Sequence, residues 1–425
     1  MSAIDLWILS IDSDAWFSAC HLDLAPLGDH PAWVHPSSPI DFMLMALGAV
    51  LANVSGEISL FNAFKAINLD VILYLFGVFV LSQALEDSGT LAQLGTFVWG
   101  RAQTASVLLV LVVVVGGLSA SLLTNDTAAI LGVPLLLALT THNQLPSQPF
   151  LLAFAYALSI GSVMSPIGNP QNLLIATQGD LNRPFATFLG GLFWPTLLCL
   201  GLVLLVLWIR FGRQLANHRV IPLTSGPVDR SLSRLCWAGL ALLLLGIGLK
   251  LVLIRAGGLF DLPFAAIGLV AGAPVLLFSR RRLSTLKRMD WSTLLFFVGL
   301  FVLIQAVWNS GVLQSLLERT HVDVTGIPQI VLISSMVSQL ISNVPLVELY
   351  LPLLNQGPES PSQLLALAAG STAAGTLSVF GAASNIIILQ SAEQRGSKAF
   401  SIIEFTLIGL PLGLACLAVY GLWLV

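Results

Sequence analysis

Thr124-Asn125-Asp126-Thr127 interrupts an apolar stretch, with Ala105–Leu123 before it and Ala128–Leu139 after it. Thr, Asn and Asp are good helix caps, so this tetrapeptide reads as the polar tip between two half-helices. Ser342-Asn343 plays the same part later in the chain, with Ser334, Ser335, Ser338 and Gln339 leading into it. Amide and hydroxyl groups at such a tip can hold a small polar solute or an ion; a single tip could equally be interhelical hydrogen bonding. Recurrence of the tip favours binding, through Thr124, Asn125, Asp126, Thr127, Ser338, Ser342 and Asn343.

Gly168-Asn169-Pro170-Gln171-Asn172 and Gly381-Ala382-Ala383-Ser384-Asn385 are a second recurring pair. Gly and Pro unwind a helix and free backbone groups that lipid cannot satisfy, so each break must line a cavity or pack on protein. A broken helix beside a re-entrant tip, present twice, is a sequence pointer to a substrate site between repeats. Gly168, Asn169, Asn172, Gly381, Ser384 and Asn385 join the candidate set on that ground. Half-helix N-termini there offer partial positive charge, and tip carbonyls and amide oxygens suit Na+.

Isolated carboxylates complete the chemistry. Asp126 sits at the depth of the first tip and Glu348 one turn past the second. Carboxylates inside a bilayer are costly and mark ion or proton sites, so both are candidates for proton coupling, with Tyr350 a neighbour that could pair with Glu348. Glu86, Asp87 and Glu404 fall near expected helix ends, where a solvated face explains them.

The elements that must position these residues are membrane helices. Of 425 residues 56% are hydrophobic and 9% charged, with mean hydropathy +0.91, against roughly 25% charged in a soluble domain. Thr104–Leu123, Pro184–Trp208, Cys236–Ile254 and Trp291–Trp308 approach or reach the roughly 20 residues that cross a hydrocarbon core. They lack the alternation of an outer-membrane barrel. The net charge of −3, without a basic block, excludes nucleic acid as an expected partner. The four cysteines are scattered, which argues against a disulfide framework or metal cluster. There is no HExxH, no GxGD-type aspartate pair and no His facing another mid-span, so an enzyme is not expected.

The chain contains itself twice. Gly77–Gly89 aligns with Gly299–Gly311 at an offset of 222, sharing Gly, Gln-Ala and Ser-Gly, and Pro195 and Pro411 fall at similar points of the last long helix of each half. The expected fold is all-α and polytopic, with two inverted-topology repeats at 40–209 and 262–425, each holding a re-entrant helical hairpin and a broken helix. Residues 210–261 form a cytoplasmic loop plus a linking transmembrane helix that reverses the second repeat. Residues 1–39, with five Asp and no Lys or Arg, form an interfacial or poorly ordered extension. Counting crossings this way gives about nine spans plus two hairpins. Of the 18 Lys and Arg, only Lys65, Arg183, Lys250, Arg255 and Arg319 then fall outside. The basic loops 210–235 and 280–290 become cytoplasmic, in a cell inner (plasma) membrane.

From Pro39 to the C-terminus the chain resembles the ion transporter superfamily: arsenite permeases, citrate–metal symporters, sodium/proton antiporters and divalent anion/sodium symporters. The two Asn-centred tips, the Gly-x-Pro-x-Asn-like breaks and the Leu-Phe-Gly…Ser-Gly segment at 75–89 carry the resemblance. It implies a scaffold, often homodimeric, a transport domain carrying both hairpins and both broken helices, and elevator-like alternating access. It implies no cofactor beyond Na+ or H+ as coupling ion. In the divalent anion/sodium symporters each tip reads Ser-Asn-Thr; here Asp126 and Val344 replace the two Thr, and Ala383 stands where the second break would have Pro. A carboxylate at the tip opposes a dianion: like charges some 4 Å apart cost about 4 kcal/mol at an effective dielectric of about 20. The function expected is therefore ion-coupled secondary transport of a small inorganic anion or oxyacid, arsenite-like or related. The alternatives are a sodium/proton antiporter and a sodium-coupled dicarboxylate or sulfate symporter.

Overall fold

Side-chain caps fix where the first long helix of each half begins. Asn68 accepts from the Val71 amide at 3.2 Å and Asp290 from the Thr293 amide at 3.0 Å. Each helix ends at a glycine held at positive φ, Gly89 (72°) and Gly311 (71°), a conformation that costs glycine nothing. A computed structural model describes residues 58–216, 218–222, 228–255, 262–311, 323–355 and 360–425, with 48, 50, 53 and 315 besides. The expected extension at 1–39 and Arg319 lie outside the described residues.

Among those residues the chain is helical. The helices are α1 (Leu60–Ala66), α2 (Leu69–Asp87), α3 (Thr90–Trp99), α4 (Ala105–Leu122), α5 (Asn125–His142), α6 (Gln148–Gly161), α7 (Pro170–Gln178), α8 (Pro184–Leu215) and α9 (Arg230–Arg255). The second half brings α10 (Phe264–Phe278), α11 (Arg282–Arg288), α12 (Trp291–Asn309), α13 (Ile327–Ile341), α14 (Asn343–Leu354), α15 (Pro361–Ala373), α16 (Ala383–Gln394) and α17 (Ile402–Leu424). Six of them (α2, α4, α8, α9, α12 and α17) are long and apolar enough to cross a membrane.

The order of elements recurs in register. α1 and α2 match α11 and α12 at the offset of 222 in both position and length. The tips match at 218, which also superposes Pro134 on Pro352 inside the following helices. The breaks match at 213, carrying Asn169-Pro170 onto Ala382-Ala383.

Two packing groups emerge. In one, α2 lies against α10, and α10 against α9. The α2–α10 crossing is so close that a Cβ on Gly77 would stand 2.0 Å from the Gly268 carbonyl oxygen. Small residues permit this approach where lipid supplies no hydrophobic drive. In the other, α4, α6, α8, α15 and α17 pack around the two breaks, with α8 and α17 tied by Thr196 Oγ1 and Tyr420 Oη at 2.9 Å. Cys199, Cys236 and Cys416 are buried and free.

Two charges are held inside the protein. Lys250 on α9 is buried, donates to the Leu262 carbonyl at 2.6 Å and lies over the Phe264 ring. Its four-carbon stem lets the ammonium reach a backbone acceptor without leaving the packed interior. Asp87 is not on a solvated face: its side chain is 5% exposed and paired with Arg288 at 2.8 Å.

Candidate functional site

Both tips form as breaks between helices, the first of them capped by a side chain. Thr124 accepts from the Thr127 amide at 3.3 Å and opens α5; the Asn125 amide nitrogen donates to the Gly168 carbonyl at 2.9 Å, joining the first tip to the first break. At the second tip Ser342 takes φ 65°, which turns the chain sharply into α14, and Asn343 Nδ2 donates to the Gly381 carbonyl at 3.0 Å. The residues correspond, but a backbone donor serves in one half and a side-chain donor in the other.

The breaks are held by matching asparagines. Asn172 Nδ2 donates to the carbonyls of Ser162 and Ser165, both at 3.0 Å. Asn385 Nδ2 donates to those of Gly375 (2.7 Å) and Ser378 (3.4 Å), the repeat counterparts. Unwinding frees these carbonyls, and a buried carbonyl left unpaired costs about 1–3 kcal/mol. Asn172 and Asn385 are fully buried and hold the breaks open from behind.

A cavity of about 710 Å³ is walled by α2 and α12 and by the tips and breaks. Thr124, Asn125, Asp126 and Thr127 line it from the first tip, Ser342, Asn343 and Val344 from the second, and Pro170, Gln171, Ala382 and Ala383 from the breaks. Four helix N-termini, of α5, α7, α14 and α16, thus meet at one space and supply partial positive charge. Two buried acceptors there, Asp126 Oδ1 and Asn343 Oδ1, have no hydrogen-bond partner among the described residues.

Lys287, Arg288 and Arg395 also line the cavity. α16 runs 12 residues from the break to Arg395, about 18 Å at helical rise, so Arg395 stands well away from the tips, and Lys287 and Arg288 join it at a basic rim. Asp290, Thr293, Gln390 and Ser391 line the wall between.

Of the other candidates, Ser338 donates to the Ser335 carbonyl at 3.1 Å, and Ser384 stands 3.5 Å from Asn125 Nδ2. Gly168, Asn169, Asn172, Ser338, Gly381, Ser384 and Asn385 support the cavity wall without lining it. Glu348 pairs with Gln178, whose Nε2 is 3.1 Å from both carboxylate oxygens; Tyr350, the expected neighbour, donates instead to the Val324 carbonyl at 2.8 Å. Glu404, expected on a solvated face, accepts from Gln148. Sequence reasoning missed Gln171, Asp290 and Gln390 as cavity residues. Gln171 was legible as part of the first break; the other two needed to be seen at the head of α12 and on α16 in three dimensions.

Residues 36–356 match the family described as citrate transporter. The chain belongs to this family. The resemblance to the ion transporter superfamily is borne out, and the protein is a multi-pass membrane transporter. The silicon efflux transporter LSI3 of Oryza sativa subsp. japonica is 28% identical over 448 residues, covering 88% of this chain and 90% of that protein. Inner membrane protein YbiR of Escherichia coli (strain K12) is 32% identical over 332 residues, covering 78% and 82%. In three dimensions the chain is similar to the Alcanivorax borkumensis YdaH transporter, with a TM-score of 0.57 at 18% identity, over 99% of this chain and 96% of that one. That likeness speaks to the fold.

Proposed function

We propose that this protein is an ion-coupled secondary transporter of a small hydroxylated oxyacid, of the arsenous or silicic acid kind, with Asp126 as its coupling carboxylate. The observation that carries the reading is the pair of unpartnered acceptors, Asp126 Oδ1 and Asn343 Oδ1, one at each tip. A buried acceptor without a donor is costly, and the hydroxyl groups of an oxyacid are donors. A fully ionised sulfate brings only acceptors, and citrate one hydroxyl among three carboxylates; both bring negative charge, which Asp126 opposes. The relative named as a silicon efflux transporter fits the same chemistry.

The halves are read as an inverted pair, moving as scaffold and transport domain. Asp70, in the first turn of α2, accepts from the Phe264 and Ala265 amides at the start of α10 (3.2 and 2.7 Å). At the other end of α2, Asp87 meets Arg288 just before α12. α12 therefore starts where its counterpart α2 stops, as opposite orientation requires. With the basic loops cytoplasmic, the Lys287–Arg288–Arg395 rim makes this an inward-open state. Alternating access then slides the helices carrying tips and breaks along α2 and α12, in an inner membrane.

Proteoliposome uptake tests this. Arsenite or silicic acid should move against a proton or Na+ gradient, while citrate and sulfate neither move nor compete. The same two acceptors would also suit Na+, which favours sodium/proton antiport as the second reading. A pH gradient that drives Na+ with no oxyacid present would select it.

A further inference from the structure

We propose that Glu348 is the carboxylate through which this transporter exchanges protons on the face opposite the basic rim, and that the contact of α2 with α7 shuts it off in this state. The inference rests on the reading of the halves as an inverted pair and deepens the assignment of the coupling site.

The open cavity separates α12 from α16: Asp290, at the head of α12, and Gln390, on α16, both line it, as do Ser391 and Ile130. The repeat offsets of 222, 213 and 218 carry these four positions onto Asn68, Thr177, Gln178 and Glu348. On the opposite face those counterparts are closed together. Asn68 Nδ2 donates to Thr177 Oγ1 at 3.3 Å, α2 packs on α7, and Gln178 Nε2 holds both oxygens of Glu348. One face thus shows the contact made and the other shows its counterpart opened. If the halves exchange these arrangements, α2 parts from α7 while α12 closes on α16, and Gln178 and Glu348 become the wall of a vestibule on the far face.

The exchange is chemically unequal. Glu348 corresponds to Ile130, so the wall gains a carboxylate on one face only. The helices packed against α14 are α7, α12, α13 and α15, and none carries Asp, Glu, Lys, Arg or His. On α14 itself the other titratable side chain is Tyr350; Asp323, in the loop before α13, acts on that phenol, and Asp180 follows α7 by two residues. A membrane carboxylate among uncharged helices, held by one amide, is suited to carrying a proton rather than to a structural ion pair. The proton passes between the Glu348 carboxylate and vestibule water, and nothing else is consumed.

Two measurements test this on the reconstituted full chain. In the first, arsenite transport is followed while pH is varied separately on each side of the vesicle. Glu348→Gln is expected to reduce the response to pH on the face opposite the rim by fivefold or more and to leave the rim-side response within twofold. An unchanged response on both faces, or an equal loss on both, overturns the proposal. In the second, Glu348→Cys, with the native cysteines replaced, is labelled by a membrane-impermeant thiol reagent applied from each side. Labelling from the face opposite the rim alone supports the proposal; labelling from the rim face, or from neither, overturns it. The labelling needs no substrate, so it separates failure here from failure of the oxyacid reading.

Discussion

Thr372 on α15 and Asn172 on α7, 200 residues apart, are joined by a hydrogen bond of 3.1 Å from Thr372 Oγ1 to Asn172 Oδ1. The same hydroxyl receives Asn169 Nδ2 at 3.2 Å and Gln171 Nε2 at 3.4 Å, so one side chain of the second half organises the break of the first. The repeat counterparts, Ser159 and Asn385, are equally buried, yet Ser159 Oγ and Asn385 Oδ1 have no partner among the described residues. Ala382 and Gly375 replace Asn169 and Ser162 there, removing an amide and a hydroxyl.

Thr372→Val should therefore destabilise the protein far more than Ser159→Ala. The first takes a partner from three buried polar groups, of which Asn169 Nδ2 keeps Ser162 Oγ at 3.2 Å, and each group left unpaired costs about 1–3 kcal/mol before relaxation; the second removes a hydroxyl with no partner among the described residues. Thermal unfolding of the two variants in detergent checks the order.

Asn343→Ala removes the donor to Gly381 and one of the two unpartnered acceptors. Loss of one binding hydrogen bond, about 1–1.5 kcal/mol, predicts roughly tenfold weaker solute binding. Asn125→Ala should act in the same direction through the first tip. Initial-rate uptake across a range of solute concentrations reads the change, and intact transport in both variants would remove the tips from the site.

Gly268→Ala should prevent normal assembly of α2 with α10. Its Cβ would meet the Tyr74 backbone at 2.6 Å, and backbone cannot step aside as a flexible side chain can. Overpacking of this kind costs about 1–3 kcal/mol. Gly190→Ala, where nothing lies within 4 Å, is the control, with yield of monodisperse protein as the readout.

Arg288→Ala should cost about 1–3 kcal/mol, because Asp87 is left as a nearly buried carboxylate without its charged donor. Arg288 is 60% exposed, so solvent relaxation keeps the loss below that of a fully buried pair. Asp87→Asn in the same chain should recover part of it, as a double-mutant cycle would measure.

The tips and the breaks were legible because each interrupts a helix where lipid tolerates no free backbone polar group, and the repeat because Gly77–Gly89 and Gly299–Gly311 share residues in register. Asn125, Asn343 and the Gly168 and Gly381 breaks announce themselves on that ground. Which asparagines face the cavity was not legible. Asn172 and Asn385 look as exposed to ligand in sequence as Asn125, yet both spend their amides on carbonyls freed ten and seven residues earlier. The partner of Glu348 was hidden for a related reason: Gln178 is 170 residues away, and hydropathy is silent about which helix crosses which. The partner of Lys250, the Leu262 carbonyl, was not legible either, since a charge count says nothing of what a lysine packs against.

The most direct measurement of the central claim is electrical. Vesicles containing the full chain are exposed in turn to arsenite, silicic acid, citrate, sulfate and Na+, under imposed proton and Na+ gradients. Oxyacid-dependent proton or Na+ movement that disappears in Asp126→Asn is the predicted result. Transport of citrate or sulfate undiminished in Asp126→Asn, or gradient-driven Na+ exchange with no oxyacid present, would contradict the account.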